Sequence, residues 1–171
     1  MVYSPPQVNG EVAQSAEQRI HKPSVVGSSP TLATQNPSLQ GDLLMHLTLW
    51  ILQIMLGIYF MTLGIMHFTI PPNLPKVMGW FYELSPMLHY FSGSAEILGS
   101  LGLILPGLTK IQTRLTPLAG VGLALLMLGA AGYHIIRGEI QNLPTNIVLF
   151  LLSGYVAYGR WNKHRLPDSK A

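Results

Sequence analysis

The chain has no cysteine. That excludes disulfides, thiol redox chemistry, iron–sulfur clusters and cysteine-based zinc sites within it. Charge is scarce too: 10% of the 171 residues are charged and 49% are hydrophobic, where a soluble domain carries about 25% charge. Acids are scarcest, and between Leu47 and Leu166 they are Glu83, Glu96 and Glu139. The mean hydropathy is +0.35 and the isoelectric point is near 9.3. The basic residues sit in loops and tails between apolar runs, so the charge pattern fits a membrane and not nucleic acid. No P-loop, dinucleotide fingerprint, Gly-x-Ser-x-Gly or His-Glu-x-x-His pattern occurs, which leaves the common sequence-marked enzyme classes without support.

What is present is a set of long apolar stretches. Leu47–Phe68 has no charge and reads as a first transmembrane helix. Gly57, Gly64 and Thr62 are its small packing positions, and His67 stands at its far end. Residues 71–84 are too short and broken to span. Leu74, Val77, Met78 and Phe81 recur at helical spacing, which predicts a short interfacial helix with Trp80 and Tyr82 at headgroup level. Ser85-Pro86 opens a second long helix, and Pro106-Gly107 is its expected end. Thr116-Pro117 opens a third, expected over Pro117–Ile136, whose many glycines and alanines predict close packing. A fourth runs from Pro144 to about Tyr158. The expected fold is an all-α, polytopic four-helix membrane bundle over residues 45–162, followed by a basic tail at 163–171.

Residues 1–44 differ in kind. They are rich in Ser, Pro, Gln and Asn without apolar periodicity, the composition of a disordered tail. Back-translation gives a sharper expectation. Val12–Arg19 can be encoded by a D-arm-like stretch of a tRNA gene, and Val26–Thr31 by a T-arm-like stretch in the right order. Gln40-Gly41-Asp42 permits a ribosome-binding site. Translation is therefore expected to start at Met45.

Four spans put both ends of the bundle on one side. Lys110, Arg114, Arg160, Lys163 and Arg165 gather there, against Lys76 and Arg137 opposite. The excess predicts cytoplasmic termini in a bacterial inner membrane.

The second span carries the chemistry. His89, Gly93, Glu96 and Ser100 recur on one helical face. A carboxyl at that depth costs about 2.5–3.5 kcal/mol to insert, so it needs a partner or a task. Glu96 is the candidate catalytic group, either relaying protons or bonding a quinone carbonyl or hydroxyl. The alternative is a structural hydrogen bond to Ser92, Ser100 or a neighbouring helix. His67, His89 and His134 all fall at the non-cytoplasmic end, seven residues or about 10 Å from Glu96 in the case of His89. With Asn146 they form a candidate cofactor pocket opening toward the outer surface. Interfacial placement of amphipathic rings explains them equally well, and no metal or haem pattern is assigned. Tyr133, Tyr155 and Tyr158 read as packing or belt residues. The opposite face of this span, Leu88, Ile97, Leu101 and Ile104, is expected to meet lipid.

Gly93-Ser94-Ala95-Glu96-Ile97-Leu98-Gly99, the following Leu-Gly-Leu-Ile-Leu-Pro, Leu115–Ala119, Gly122–Ala130, His134–Glu139 and Asn146 together resemble the DoxX-like family of four-helix bacterial membrane proteins. Gly64-x-x-His67 departs from the Gly-x-x-Lys often found there. The resemblance implies the four-helix fold. It also implies a link to quinone-coupled membrane oxidoreductases, with a quinone as cofactor and oxidoreductase subunits as partners beside the lipid bilayer. A non-catalytic structural or permeation role remains the alternative.

Overall fold

A computed structural model describes residues 37–169. The expected tRNA-derived segment lies, up to residue 36, outside the described residues. From Gly41 onward the chain forms one compact unit. The described residues hold four helices long and apolar enough to cross a membrane. Their α-helical parts are α1 (Pro37–Thr69), α2 (Pro86–Thr109), α3 (Leu115–Ile136) and α4 (Leu143–Tyr158), and the fourth span, Ile140–Lys163, reaches its length only with the turns on either side of α4. Short 3-10 helices cover Lys76–Glu83 and Ile140–Asn142, and a wide π-helical turn, Gly159–Lys163, extends α4.

Small residues set the contacts around the ring. A Cβ on Gly64 would lie 2.9 Å from the Gly93 carbonyl oxygen, and one on Gly93 the same distance from the Gly64 oxygen. Here α1 and α2 cross almost backbone to backbone. Gly102 meets Ala119 on α3, Gly120 meets Ser153 and Ala157 on α4, and Gly159 meets Leu49 on α1. Without a hydrophobic drive between helices in lipid, such close approach gains dispersion contacts that larger residues would prevent. Leu49, Leu56, Phe60, Leu103, Leu123, Met127, Leu149 and Val156 fill the middle.

Several boundaries differ from the sequence reading. Helix α1 begins at Pro37, so residues 37–44 are helical; proline suits a first helical position, and the helix runs on through Gly41. Pro106 is buried inside α2, and the helix ends only at Lys110, which adopts a left-handed backbone at φ 57°. Pro106 lacks the N–H that would bond the Gly102 carbonyl, a defect tolerated in a bundle where neighbours supply partners. Gln53 of α1 donates to the next carbonyl, Leu103 O, at 2.6 Å. Ile97 and Ile104 do not face lipid, since they fill the space above Gly64 and Gly57 of α1. Leu88 and Leu101 are exposed as expected, and Phe91, Leu98 and Leu108 are exposed with them. Thr62 is exposed and bonds the Ile58 carbonyl of its own helix.

The two ends are closed differently. Lys76–Glu83 folds over the histidine end, and Phe81 is fully buried beneath it. Trp80 therefore faces His134, with ring centres 4.9 Å apart, rather than the headgroups. Tyr82 stays exposed, where its hydroxyl donates to Pro71 O and accepts from the Leu74 N–H. At the opposite end the residues after α4 are docked and not free. Thr113 Oγ1 donates to Leu166 O, Thr113 N–H donates to Asp168, and Ser169 N–H donates to Lys110 O.

Candidate functional site

Helix α2 starts where its sequence says it should. Ser85 accepts from the Leu88 N–H, and Pro86 occupies the first turn. This register points His89, Gly93, Glu96 and Ser100 inward, and all four are buried. Glu96 is 2% exposed.

Its surroundings are unusual. Ser100 donates to Ile97 O and faces Met61, so it leaves Glu96 alone. The nearest basic side chain is His67, whose Nε2 lies 3.6 Å from Glu96 Oε2. That is beyond hydrogen-bond length, and Oε2 has no partner. His67 in turn shares a 2.8 Å bond between its Nδ1 and that of His89. One ring must donate and the other accept. If His67 accepts at Nδ1, its Nε2 carries hydrogen and faces Glu96. If it donates, Nε2 is bare. The pair thus offers two tautomeric states and a line Glu96–His67–His89. Phe81 seals that line, stacking on His67 at 4.6 Å and meeting His89 edge-on at 4.9 Å. The expected open funnel to the outer surface is therefore plugged.

His134 belongs to a second group. Its Nδ1 bonds Glu139 at 2.7 Å and lies 3.5 Å from Asn142 Nδ2. Arg137 holds Glu139 and also Glu83, at the end of the 3-10 helix. The Arg137 bond, opposed by partial desolvation and aided by His134, holds the Glu139 carboxyl below the usual range.

A cavity of about 840 Å³ joins these groups. Glu96, His67, His134, Asn142 and Asn146 give it a polar end, and Leu63, Leu126, Met127 and Leu149 give it apolar walls. His89 stands behind His67 and is not in the lining. Asn146 Nδ2 is buried without a partner, like Glu96 Oε2. Gly122 and Gly129 of α3 line the cavity, and a Cβ on either would meet nothing. The exposed Phe91 of α2 and Leu125 and Ile136 of α3 flank this side. Among the described residues no three His, Asp or Glu side chains gather as a metal-ligand set.

The profile of the DoxX-like family matches residues 51–156. The chain belongs to the DoxX-like family. The DoxX-like region contains the whole cavity lining, from Tyr59 to Leu149. It is an integral membrane protein. No curated protein and no solved structure matches it.

Sequence reasoning missed Tyr59, Trp80 and Asn142 as part of this site. Tyr59 looked like one more apolar position, and only Asn142's place beside the buried His134 gives it weight. Tyr133 does line the cavity, with Arg137 5.4 Å over its ring, while Tyr155 bonds Met45 outside it. A larger omission lies at the other end, where Gln53 is fully buried and Arg160 is 2% exposed. Arg160 reads in the sequence as a tail residue, yet the π-helical turn places it in the bundle.

Proposed function

We propose that the protein binds a lipid-soluble amphiphile of the quinone class and serves as an accessory, quinone-interacting subunit of a membrane oxidoreductase system. The observation that carries this is the pair of orphaned polar atoms on two residues that line one largely apolar cavity. Glu96 Oε2 can accept from a hydroxyl, and Asn146 Nδ2 can donate to a carbonyl. A buried polar group without a partner costs about 1–3 kcal/mol, so a ligand supplying both bonds recovers that cost. Apolar walls suit the tail of such a molecule, and the gap beside Gly122 and Gly129 suits entry from the bilayer. His67 and His89 would then hold or pass a proton at Glu96. Through-passage of a small molecule is a weaker reading, because Phe60, Leu103, Leu123 and Val156 close the middle of the bundle. The basic end, with Arg114, Arg160, Lys163 and Arg165, is assigned to the cytoplasm.

The test is direct. Lipids extracted from the purified protein should contain an isoprenoid quinone, and a short-chain quinone should quench Trp80. Glu96→Gln keeps shape but cannot exchange a carboxyl proton, so it should fold like the parent and lose function. Glu96→Ala should lose both, with stability lower by about 1–3 kcal/mol. No extracted quinone, no quenching, and a fully functional Gln variant would together reject the reading.

A further inference from the structure

The end of the bundle opposite Glu96 has its own cavity, of about 440 Å³. Thr113, Arg114, Pro117, Arg160, Arg165 and Asp168 are in its lining. We propose that this cavity binds a phosphate group, through the guanidinium groups of Arg160, Arg114 and Arg165.

Arg160 is the anchor. Guanidinium groups keep their charge in proteins, and buried charges are normally paired. Arg160 is buried, yet the groups bonded to it are neutral. Nε donates to Gln53 Oε1 at 2.6 Å, and Nη1 lies 3.2 Å from both His164 O and His46 Nδ1. Nη2 has no partner. The ring of Trp50 lies 5.4 Å from the guanidinium carbon. Trp50 also donates to His46 Nε2 at 3.1 Å. A neutral imidazole has one acceptor nitrogen, so Trp50 and Arg160 compete for it. The cluster has more donors than acceptors.

The remaining charges do not correct this. The carboxylate in the lining, Asp168, accepts the Thr113 N–H at 2.8 Å. Arg114 and Arg165 are exposed at the rim, and Arg165 Nε donates to a carbonyl, Trp161 O. Three guanidinium groups thus share the lining with one carboxylate, whose charge also acts on Arg114, which leaves an excess of positive charge. The start of α3 adds partial positive charge at the same place. The π-helical turn that turns Arg160 inward is of a kind often found at functional sites.

The missing component is an anion with several acceptor oxygens, which arginine forks recognise in phosphate. The cavity sits where a spanning segment ends, at Lys163. Headgroup phosphates lie at that depth, and basic pockets between helices bind anionic lipids. The inference does not depend on the quinone reading.

Thermal unfolding of the full chain in dodecyl maltoside tests it. Phosphatidylglycerol, phosphatidylcholine and inorganic phosphate are titrated separately, with phosphate balanced against chloride at constant ionic strength. The expected result is a saturable rise in the midpoint with phosphatidylglycerol, whose phosphate is a net negative charge, and none with phosphatidylcholine, whose phosphate is offset by its own trimethylammonium group. A matching rise with inorganic phosphate identifies free phosphate as sufficient; its absence identifies the lipid headgroup. In the Arg114→Gln, Arg165→Gln double variant the apparent Kd should rise about tenfold or more. Both residues are exposed, which favours folding of that variant, and the parent titrations stand without it. No saturable rise with either phosphate source, an equal rise with phosphatidylcholine, or an unchanged Kd in the folded double variant overturns the proposal.

Discussion

Replacing Gly93 with alanine tests the packing on which the histidine pair depends. The added Cβ would fall 2.8 Å from His67 Cβ, 2.8 Å from Phe68 Cε2 and 2.9 Å from the Gly64 carbonyl oxygen. Ordinary contact between carbons starts near 3.5 Å, so α1 and α2 must separate by about 0.7 Å. A Cβ and a backbone oxygen cannot swing aside as a side-chain tip can. Overpacking of this kind costs about 1–3 kcal/mol. Alanine also has the better helix propensity, by up to about 1 kcal/mol, which would mask part of the loss. Gly122→Ala supplies the correction, because its Cβ meets nothing within 4 Å. The difference between the two variants isolates the clash and should be about 1–3 kcal/mol.

The assay is unfolding in mixed micelles with increasing sodium dodecyl sulfate, followed by helical circular dichroism. The same separation takes the His67–His89 bond from 2.8 Å to its limit, so the imidazole nitrogen shifts should change in Gly93→Ala and not in Gly122→Ala. Two variants of equal stability would refute the close crossing.

Other expectations follow from the two ends of the bundle. Gln53→Leu removes the partner of Arg160 Nε and of Leu103 O, and should cost about 2–4 kcal/mol in the same unfolding assay; a neutral result would remove Gln53 from the core network. Glu139 has a depressed carboxyl, so its contribution is complete above its ordinary value of 4.5 and is lost as pH falls through the lower folded value. Trp80 fluorescence, in a background with Trp50 and Trp161 changed to Phe, should report loosening of the 3-10 helix on that acid side. Arg137→Gln should flatten that profile, and an unchanged profile would detach Arg137 from the closure. A reporter fused after Lys170 should report a cytoplasmic terminus; an external signal would reverse the assignment of both ends.

The spans and the inward face of α2 could be read from the sequence because they follow from one-dimensional facts. Apolar length sets a span, Ser85-Pro86 sets the register, and the register sets which face Glu96 shares. Arg160 could not be read that way. Its burial depends on a π-helical turn and on a donor network reaching Gln53, 107 residues away. Local sequence shows only a basic run after an apolar one, which ordinarily marks a solvated end. Phe81 was hidden for a related reason. Helical spacing gave the short helix an apolar side, but spacing alone does not say whether that side meets lipid or the end of the bundle.

The glycines of α3 carry the more general point. A stripe of small residues in a membrane helix has two physical meanings, and sequence favours the commoner one. At Gly120 it means contact, since Ser153 and Ala157 of α4 come close enough to exclude a side chain. At Gly122 and Gly129 it means room, since an added Cβ would enter open space. What separates them is the face. Gly120 lies on the side of α3 turned to α4, where closing the gap gains dispersion energy at no polar cost. Gly122 and Gly129 lie in the cavity wall. Closing that gap would bring α3 toward Glu96 Oε2 and Asn146 Nδ2, the atoms without partners, and bury them further without supplying a bond. The helix that looked best suited to tight packing therefore also forms one wall of the cavity.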